Sequence, residues 1–72
     1  MTKEEKLVLL EETFELDKNT LSGEMNLNDI EEYDSMAKLS LIVLCDDEFG
    51  KKLTGEKINL FIIVQDILDF MD

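Results

Sequence analysis

The chain is short, strongly acidic and moderately apolar. Its 72 residues include 18 acidic and 7 basic side chains, which gives a formal net charge of -11 at pH 7. A charge of this sign repels nucleic acid phosphates and anionic lipid and attracts basic protein surfaces, so it favours protein partners over nucleic acid. With 44% hydrophobic residues, the sequence is too apolar for a disordered acidic tail and predicts a single folded domain over residues 1–72.

Two features of the composition narrow the kinds of site that the chain can form. Cys45 is the only cysteine and histidine is absent, which excludes an internal disulfide, a Cys/His nucleophile pair and a Cys/His metal site. We therefore expect Cys45 to be a packed structural thiol. The apolar stretch from Leu7 to Leu10 is too short for a signal-peptide core or a membrane span. We expect a cytoplasmic monomer.

The first predicted helix runs from about Lys3 to Leu16. Thr2 followed by Glu5 matches a capping box at its start. Apolar residues then recur on one helical face, at Leu7, Leu10 and Phe14. The helix should therefore pack this face against a core.

A long loop is predicted from Asp17 to Asp34. It has Asn, Ser and Gly at turn-forming positions and no sustained hydrophobic period. A connection of this length in a compact domain usually has a function or is anchored to the core. Four apolar residues are available as anchors: Leu21, Met25, Leu27 and Ile30.

The second predicted helix is the most apolar. It should begin at Asp34 or Ser35, either of which can cap it, and end near Phe49, where Gly50 suits a left-handed C-terminal position. One stripe is expected to face the core, formed by Leu39, Ile42, Cys45 and Phe49. Other apolar residues fall partly off that stripe, namely Met36, Leu41, Val43 and Leu44. This excess indicates either a heavily buried central helix or a face for a partner or a bound acyl chain.

The C-terminal part is predicted to hold a short helix from Glu56 to Leu60, after a turn at Thr54-Gly55, and a last helix from Ile63 to Met71. The run from Leu60 to Val64 would also suit a strand, but no second strand is present to pair with it. The last helix has helical spacing at Val64, Ile67, Leu68 and Met71. The predicted fold is all-α: a small four-helix bundle of three main helices and one short helix, with a long loop between helices one and two.

The residues around Ser35 and the order of these elements resemble the acyl carrier proteins over essentially the whole chain. Asp34, Ser35 and Met36 match the family's Asp-Ser-Leu motif, and the acidic run from Asp46 to Phe49 matches the cluster that closes its second helix. Val64-Gln65 matches the opening of its last helix. In that family the motif serine bears a 4′-phosphopantetheine arm. The resemblance therefore implies that Ser35 carries this cofactor, with an acyl group as a thioester at its end.

The resemblance also implies partners: a phosphopantetheinyl transferase, and acyl-loading and acyl-transferring enzymes with basic docking patches. The candidate partner contacts are Asp34, Met36, Lys38, Leu39, Val43, Asp46 and Asp47. A simple helix cap is the alternative role for Asp34, and a solvated helix end is the alternative for Asp46 and Asp47. Acids near a helix C-terminus oppose the helix dipole, however, which favours a docking role for the last two.

Several positions depart from the family pattern. Glu32 stands where a glycine is usual, and the bulky Tyr33 follows it. Ala37, Lys38 and Ser40 make the first half of the second helix less acidic than in carriers of the fatty-acid synthase type. An isoleucine replaces the threonine that often caps the last helix. These changes alter the recognition surface and leave the attachment chemistry intact, so they favour a specialised carrier over the housekeeping one.

The residues themselves argue against an enzyme. Without histidine or a plausible triad, the chain cannot activate Ser35, so a base of the transferase must do so. The product, a phosphodiester anion, would lie at a helix N-terminus, where unpaired N–H groups and the helix dipole favour negative charge.

The sequence raises three alternative interpretations. A free-standing aminoacyl or peptidyl carrier of a nonribosomal-type pathway shares the fold and the arm and stays open, as does a helical adaptor without an arm. A calcium loop beginning at Asp17 fails on spacing. Ser22 stands at loop position six, where glycine is required, and Asn28 stands at position twelve, where a bidentate glutamate is required.

Overall fold

The computed structural model describes residues 2–71. These residues form four α-helices and one short 3-10 helix: α1 (Lys3–Thr13), the 3-10 helix (Leu27–Asp29), α2 (Ser35–Phe49), α3 (Gly55–Ile58) and α4 (Val64–Phe70). The described part of the chain has no strand, only an isolated antiparallel bridge between Asn26 and Ile63. The prediction of an all-α chain is confirmed. α1 packs against both α2 and α4, while the arrangement as a bundle stays a prediction.

α1 begins at the predicted cap and ends before the predicted residue, Leu16. The amides of Thr2 and Glu5 each donate to the other's side chain, at 3.1 and 3.2 Å, which confirms the capping box. At the other end, Glu15 has a left-handed φ of 59°. The amide of Leu16 donates back to the Glu11 carbonyl at 2.7 Å. This Schellman-type closure ends the helix without a glycine.

The segment between α1 and α2 is anchored through its apolar residues, as predicted. Leu21, Leu27 and Ile30 are buried, and Met25 is half-buried. A polar clasp adds to these anchors, because the buried carboxylate of Glu11 accepts the amides of Thr20 at 2.9 Å and Leu21 at 3.0 Å. The start of the segment is thereby fixed to α1.

Three backbone hydrogen bonds join the same segment to the start of α4: Leu27 N–H to the Ile62 carbonyl at 2.9 Å, Val64 N–H to the Met25 carbonyl at 3.0 Å, and Gln65 N–H to the Gly23 carbonyl at 2.9 Å. The approach at Gly23 is close. A Cβ there would lie 2.6 Å from the side-chain oxygen of Gln65, so any larger residue would have to displace that side chain. The segment before α2 is therefore held from both sides.

The prediction of which face of α2 is buried needs correction. Ala37, Leu41 and Cys45 are buried, whereas Leu39, expected in the core stripe, is 57% exposed. At roughly 100° per residue, Leu39 lies about 160° around the helix from both Ala37 and Leu41. The small side chain of Ala37 faces the core in its place. Ile42 and Phe49, also expected in that stripe, are half-buried against the core.

The C-terminal elements follow the predicted order. Thr54 caps α3, accepting the Lys57 amide at 3.2 Å, so Thr54-Gly55 opens a helix rather than forming a separate turn. In α4 the expected core residues are all buried: Val64, Ile67, Leu68 and Met71. Within residues 2–71, no helix has the length and apolar character needed to cross a membrane.

Candidate functional site

Ser35 is an exposed residue at the very start of α2. The cap of this helix is Asp34, whose Oδ1 accepts the Ala37 amide at 2.9 Å and whose carbonyl accepts the Lys38 amide at 3.0 Å. Since Asp34 supplies the cap, the Ser35 hydroxyl is not committed to capping. The amides of Ser35 and Met36 belong to the first helical turn and have no partner within the helix. An anion attached to Ser35 would meet these two donors and the positive end of the dipole.

A cavity of about 250 Å³ lies between the end of α1 and the start of α2, where Asp34, Met36 and Ala37 line it but Ser35 does not. Three carboxylates line it, those of Glu15, Glu32 and Asp34. These carboxylates would repel a phosphate group placed in the cavity. In residues 2–71 no group of three or more Cys, Asp or Glu side chains is arranged to hold a metal ion.

Tyr33 directly precedes Asp34 and follows Glu32, the position at which the family pattern usually has glycine. Its ring packs edge-on against Phe14, with centroids 5.5 Å apart and an interplanar angle of 73°. The Nζ atom of Lys38 lies 5.6 Å from the Tyr33 ring centroid. The hydroxyl of Tyr33 is buried without a hydrogen-bond partner in the described residues, and burial raises its pKa. The half-buried side chain of Lys38 thus lies over the ring of Tyr33, close to the start of α2.

One exposed face of α2 brings together most of the predicted partner residues. Met36 is 70% exposed and Val43 is 52% exposed, and Leu39 lies between them on the same face. The exposed Asp46 and Asp47 continue this face toward the end of the helix. We call this face the α2 stripe: Met36, Leu39, Val43, Asp46 and Asp47. The other two predicted contacts have partners within the chain: Asp34 caps α2, and Lys38 lies over the Tyr33 ring.

Cys45 lies on the opposite, buried side of α2. It is completely inaccessible to solvent, and burial raises its pKa. A thiol that is both buried and protonated is a poor nucleophile. The prediction of a packed structural thiol is confirmed.

Two carboxylates have structural roles that were not predicted from the sequence. Glu11 holds the loop, as described above. Asp66 accepts the amides of Ile62 at 2.8 Å and Ile63 at 3.1 Å through its Oδ2 atom, and these bonds lower its pKa. The first-turn amides of Val64 and Gln65, which the Ile63 side chain cannot accept, donate instead to the Met25 and Gly23 carbonyls. An acid three residues after a helix start is a recognisable pattern, whereas Glu11 has no such local sign.

The described residues form a small, acidic, all-helical protein with an exposed serine at the start of its longest helix. Among curated proteins, the chain is similar to an acyl carrier protein of Micrococcus luteus. The two are 32% identical over 57 residues, which cover 79% of this chain and 70% of the relative. No family model matches the chain, and no solved structure matches it. By this similarity the chain belongs to the acyl carrier protein family.

Proposed function

We propose that the protein carries an acyl group as a thioester on a 4′-phosphopantetheine arm attached to Ser35, and presents it to enzymes of fatty acid synthesis or of a specialised acyl-transfer pathway. The observation that carries this proposal is the exposed Ser35 at the first position of α2. Asp34, and not Ser35, caps this helix. Membership of the acyl carrier protein family supports it.

Attachment requires a partner enzyme. In the transfer, the Ser35 oxygen forms a bond to the phosphorus that carries pantetheine, the pyrophosphate P–O bond of coenzyme A breaks, adenosine 3′,5′-bisphosphate leaves, and the hydroxyl proton passes to a base. The chain contains no histidine, and the neighbouring Asp34 carboxylate is engaged by the Ala37 amide. The base therefore belongs to the transferase. The chain's own part is to expose the hydroxyl and to offer the amides of the first turn to the new phosphodiester.

Presentation of the cargo would use the α2 stripe. Its three apolar side chains suit an apolar depression on a partner, and Asp46 and Asp47 lie where they can attract a basic rim. Rim charges act mainly on the rate of encounter. Asp34 and Lys38 are proposed as further contacts, with Lys38 opposing the negative field at this end of the helix.

Intact-mass spectrometry tests the attachment site. Protein incubated with coenzyme A, magnesium and a broad-specificity phosphopantetheinyl transferase should gain one arm. Ser35→Ala should gain none, and Ser40→Ala, which removes another exposed serine of α2, should react like the wild type. An arm on Ser35→Ala, or none on the wild type, would refute the proposal. Protein isolated from its own cells would show the arm and its cargo together.

The docking role is tested by the loading rate at several salt concentrations. Asp46→Lys with Asp47→Lys should slow modification at low salt, and the gap to the wild type should narrow as salt rises. Glu12→Lys with Glu24→Lys makes the same change in net charge at exposed positions on α1 and the loop. Equal slowing of both double variants would assign the effect to overall charge and remove the α2 stripe from docking.

A further inference from the structure

Two large aliphatic side chains in the connection between α3 and α4 are exposed and unused by the proposed carrier site. Leu60 is 69% exposed and Ile62 is 64% exposed. They border a groove of about 450 Å³ whose apolar lining also includes Phe61 and Phe70. These two rings pack edge-on, with centroids 5.9 Å apart. We call these four residues the α3–α4 patch.

The backbone holds this patch in place. The Ile62 amide donates to Asp66 at 2.8 Å, and the Ile62 carbonyl accepts the Leu27 amide at 2.9 Å. Phe61 is half-buried against the core, whereas its neighbours Leu60 and Ile62 are exposed. Their exposure is therefore a consequence of a fixed turn. Contiguous exposed apolar surface on a small domain usually marks an interaction site.

The charges around the groove restrict what can cover it. Asp66 and Asp69 line it, with Lys57 as the only basic lining residue, and the whole chain carries a charge of -11. A second copy of the chain would bring the same negative charge, and an anionic membrane surface would be repelled for the same reason. A partner with basic groups beside apolar side chains would match both the carboxylates of Asp66 and Asp69 and the apolar lining of the groove.

We propose that the α3–α4 patch is a second docking surface, which binds a basic amphipathic segment of a partner protein. Apolar side chains of that segment would enter the groove between Leu60 and Ile62, and its lysine or arginine side chains would lie near Asp66 and Asp69. The surface does not depend on an arm at Ser35. A partner that contacts both this patch and the α2 stripe would gain affinity from the two linked contacts.

A titration followed by NMR chemical shifts tests the proposal. Isotopically labelled protein without an arm is mixed with a synthetic helical peptide of leucine and lysine, and with a control peptide that has glutamate for lysine. The basic peptide should perturb amides between Lys57 and Phe70, and the acidic peptide should perturb none. Leu60→Ser with Ile62→Ser should weaken binding about tenfold, the loss expected from one buried aliphatic side chain or more.

The matched control is Val8→Ser, which removes an exposed aliphatic group of α1 outside both proposed surfaces and should leave affinity for the peptide nearly unchanged. Asp69→Lys should weaken binding more than Glu12→Lys, the same charge reversal at an exposed position of α1, and this comparison stays valid even if the serine variant of the patch unfolds. Shifts centred on the α2 stripe, or equal losses in both serine variants, would overturn the proposal. Because no step uses Ser35, such a result would leave the carrier function untouched.

Discussion

Asp34 and Ser35 have separate tasks although they are neighbours in one motif. The Asp34 side chain holds the Ala37 amide at 2.9 Å, and Ser35 presents its hydroxyl to solvent. Both tasks were predictable, because a helix cap and the first helical residue depend on sequence over only a few positions. The sequence left open which of the two residues caps, and the structure assigns the cap to Asp34.

Substitutions at Asp34 separate capping from recognition. Asp34→Ala should lower the free energy of unfolding by about 0.5–2 kcal/mol, whereas Asp34→Asn should stay close to the wild type because asparagine also caps well. Urea unfolding followed by circular dichroism measures this. If the carboxylate also meets the transferase, Asp34→Asn will be modified slowly although it is stable. Wild-type stability in Asp34→Ala would contradict the capping role.

Glu11 is a buried acid whose importance could not be inferred locally. Its bonds run to the amides of Thr20 and Leu21, far enough along the chain that no helical or strand period connects them. In the sequence, Glu11 looks like one more acid of an acidic helix. Its role depends on the path of the loop, which single-sequence patterns do not determine.

Removal of the Glu11 carboxylate should destabilise the domain. Glu11→Ala leaves the Thr20 and Leu21 amides without their acceptor, and we expect a loss of about 1.5–3 kcal/mol. Glu12→Ala removes the same charge from an exposed position and should change stability little. Thermal unfolding of the two variants compares them directly. Equal melting temperatures would show that the clasp contributes nothing.

At the scale of elements, helix boundaries were predicted best where capping residues mark them. α2 begins and ends as predicted, with Gly50 in the left-handed conformation at φ 61°. α1 ends earlier than predicted because Glu15 takes a left-handed conformation that its residue type does not announce. The buried face of α2 was also mistaken, because a helix that is apolar on several sides offers more than one possible core stripe.

The start of α4 should show a pH-dependent stability that belongs to Asp66. Its pKa is lowered in the fold by the Ile62 and Ile63 amides. The stabilisation is therefore present above the unfolded pKa and is lost as pH falls through the lower, folded pKa. The difference in melting temperature between the wild type and Asp66→Asn should be constant near neutral pH and shrink below about pH 4.

Asp69→Asn removes the same charge from the same helix and controls for the change in net charge. Melting curves for the three proteins over a series of acidic buffers give the comparison. A difference between wild type and Asp66→Asn that stayed constant down to the lowest pH would argue against the amide bonds as the source of the lowered pKa.

At the scale of the whole molecule, the charge of -11 on 72 residues should store self-repulsion that counterions relieve. Added sodium chloride should raise the melting temperature, and magnesium chloride at equal ionic strength should raise it more, since a divalent ion concentrates more strongly near carboxylates. Circular dichroism melts measure both effects. A melting temperature independent of both salts would show that self-repulsion is negligible.

The helical class and the order of helices followed from sequence periodicity, capping residues and the motif around Ser35. The long-range contacts could not be predicted from these sequence features. The bonds from Leu27 to Ile62 and from Gly23 to Gln65 join segments that are distant in sequence and carry no shared pattern. Leu60 and Ile62 lie in the apolar run that would also suit a strand, and the sequence did not predict that these two residues are exposed.

The burial of Cys45 has a consequence for thiol chemistry in the carrier. A thioester on a flexible arm can be intercepted by any accessible thiolate nearby, and the cargo would then be lost to a side chain. Cys45 is inaccessible and its pKa is raised, so the folded chain offers no competing sulfur of its own. With the arm in place, the protein would present a single reactive thiol, and a maleimide probe should label the arm while sparing the polypeptide until it unfolds.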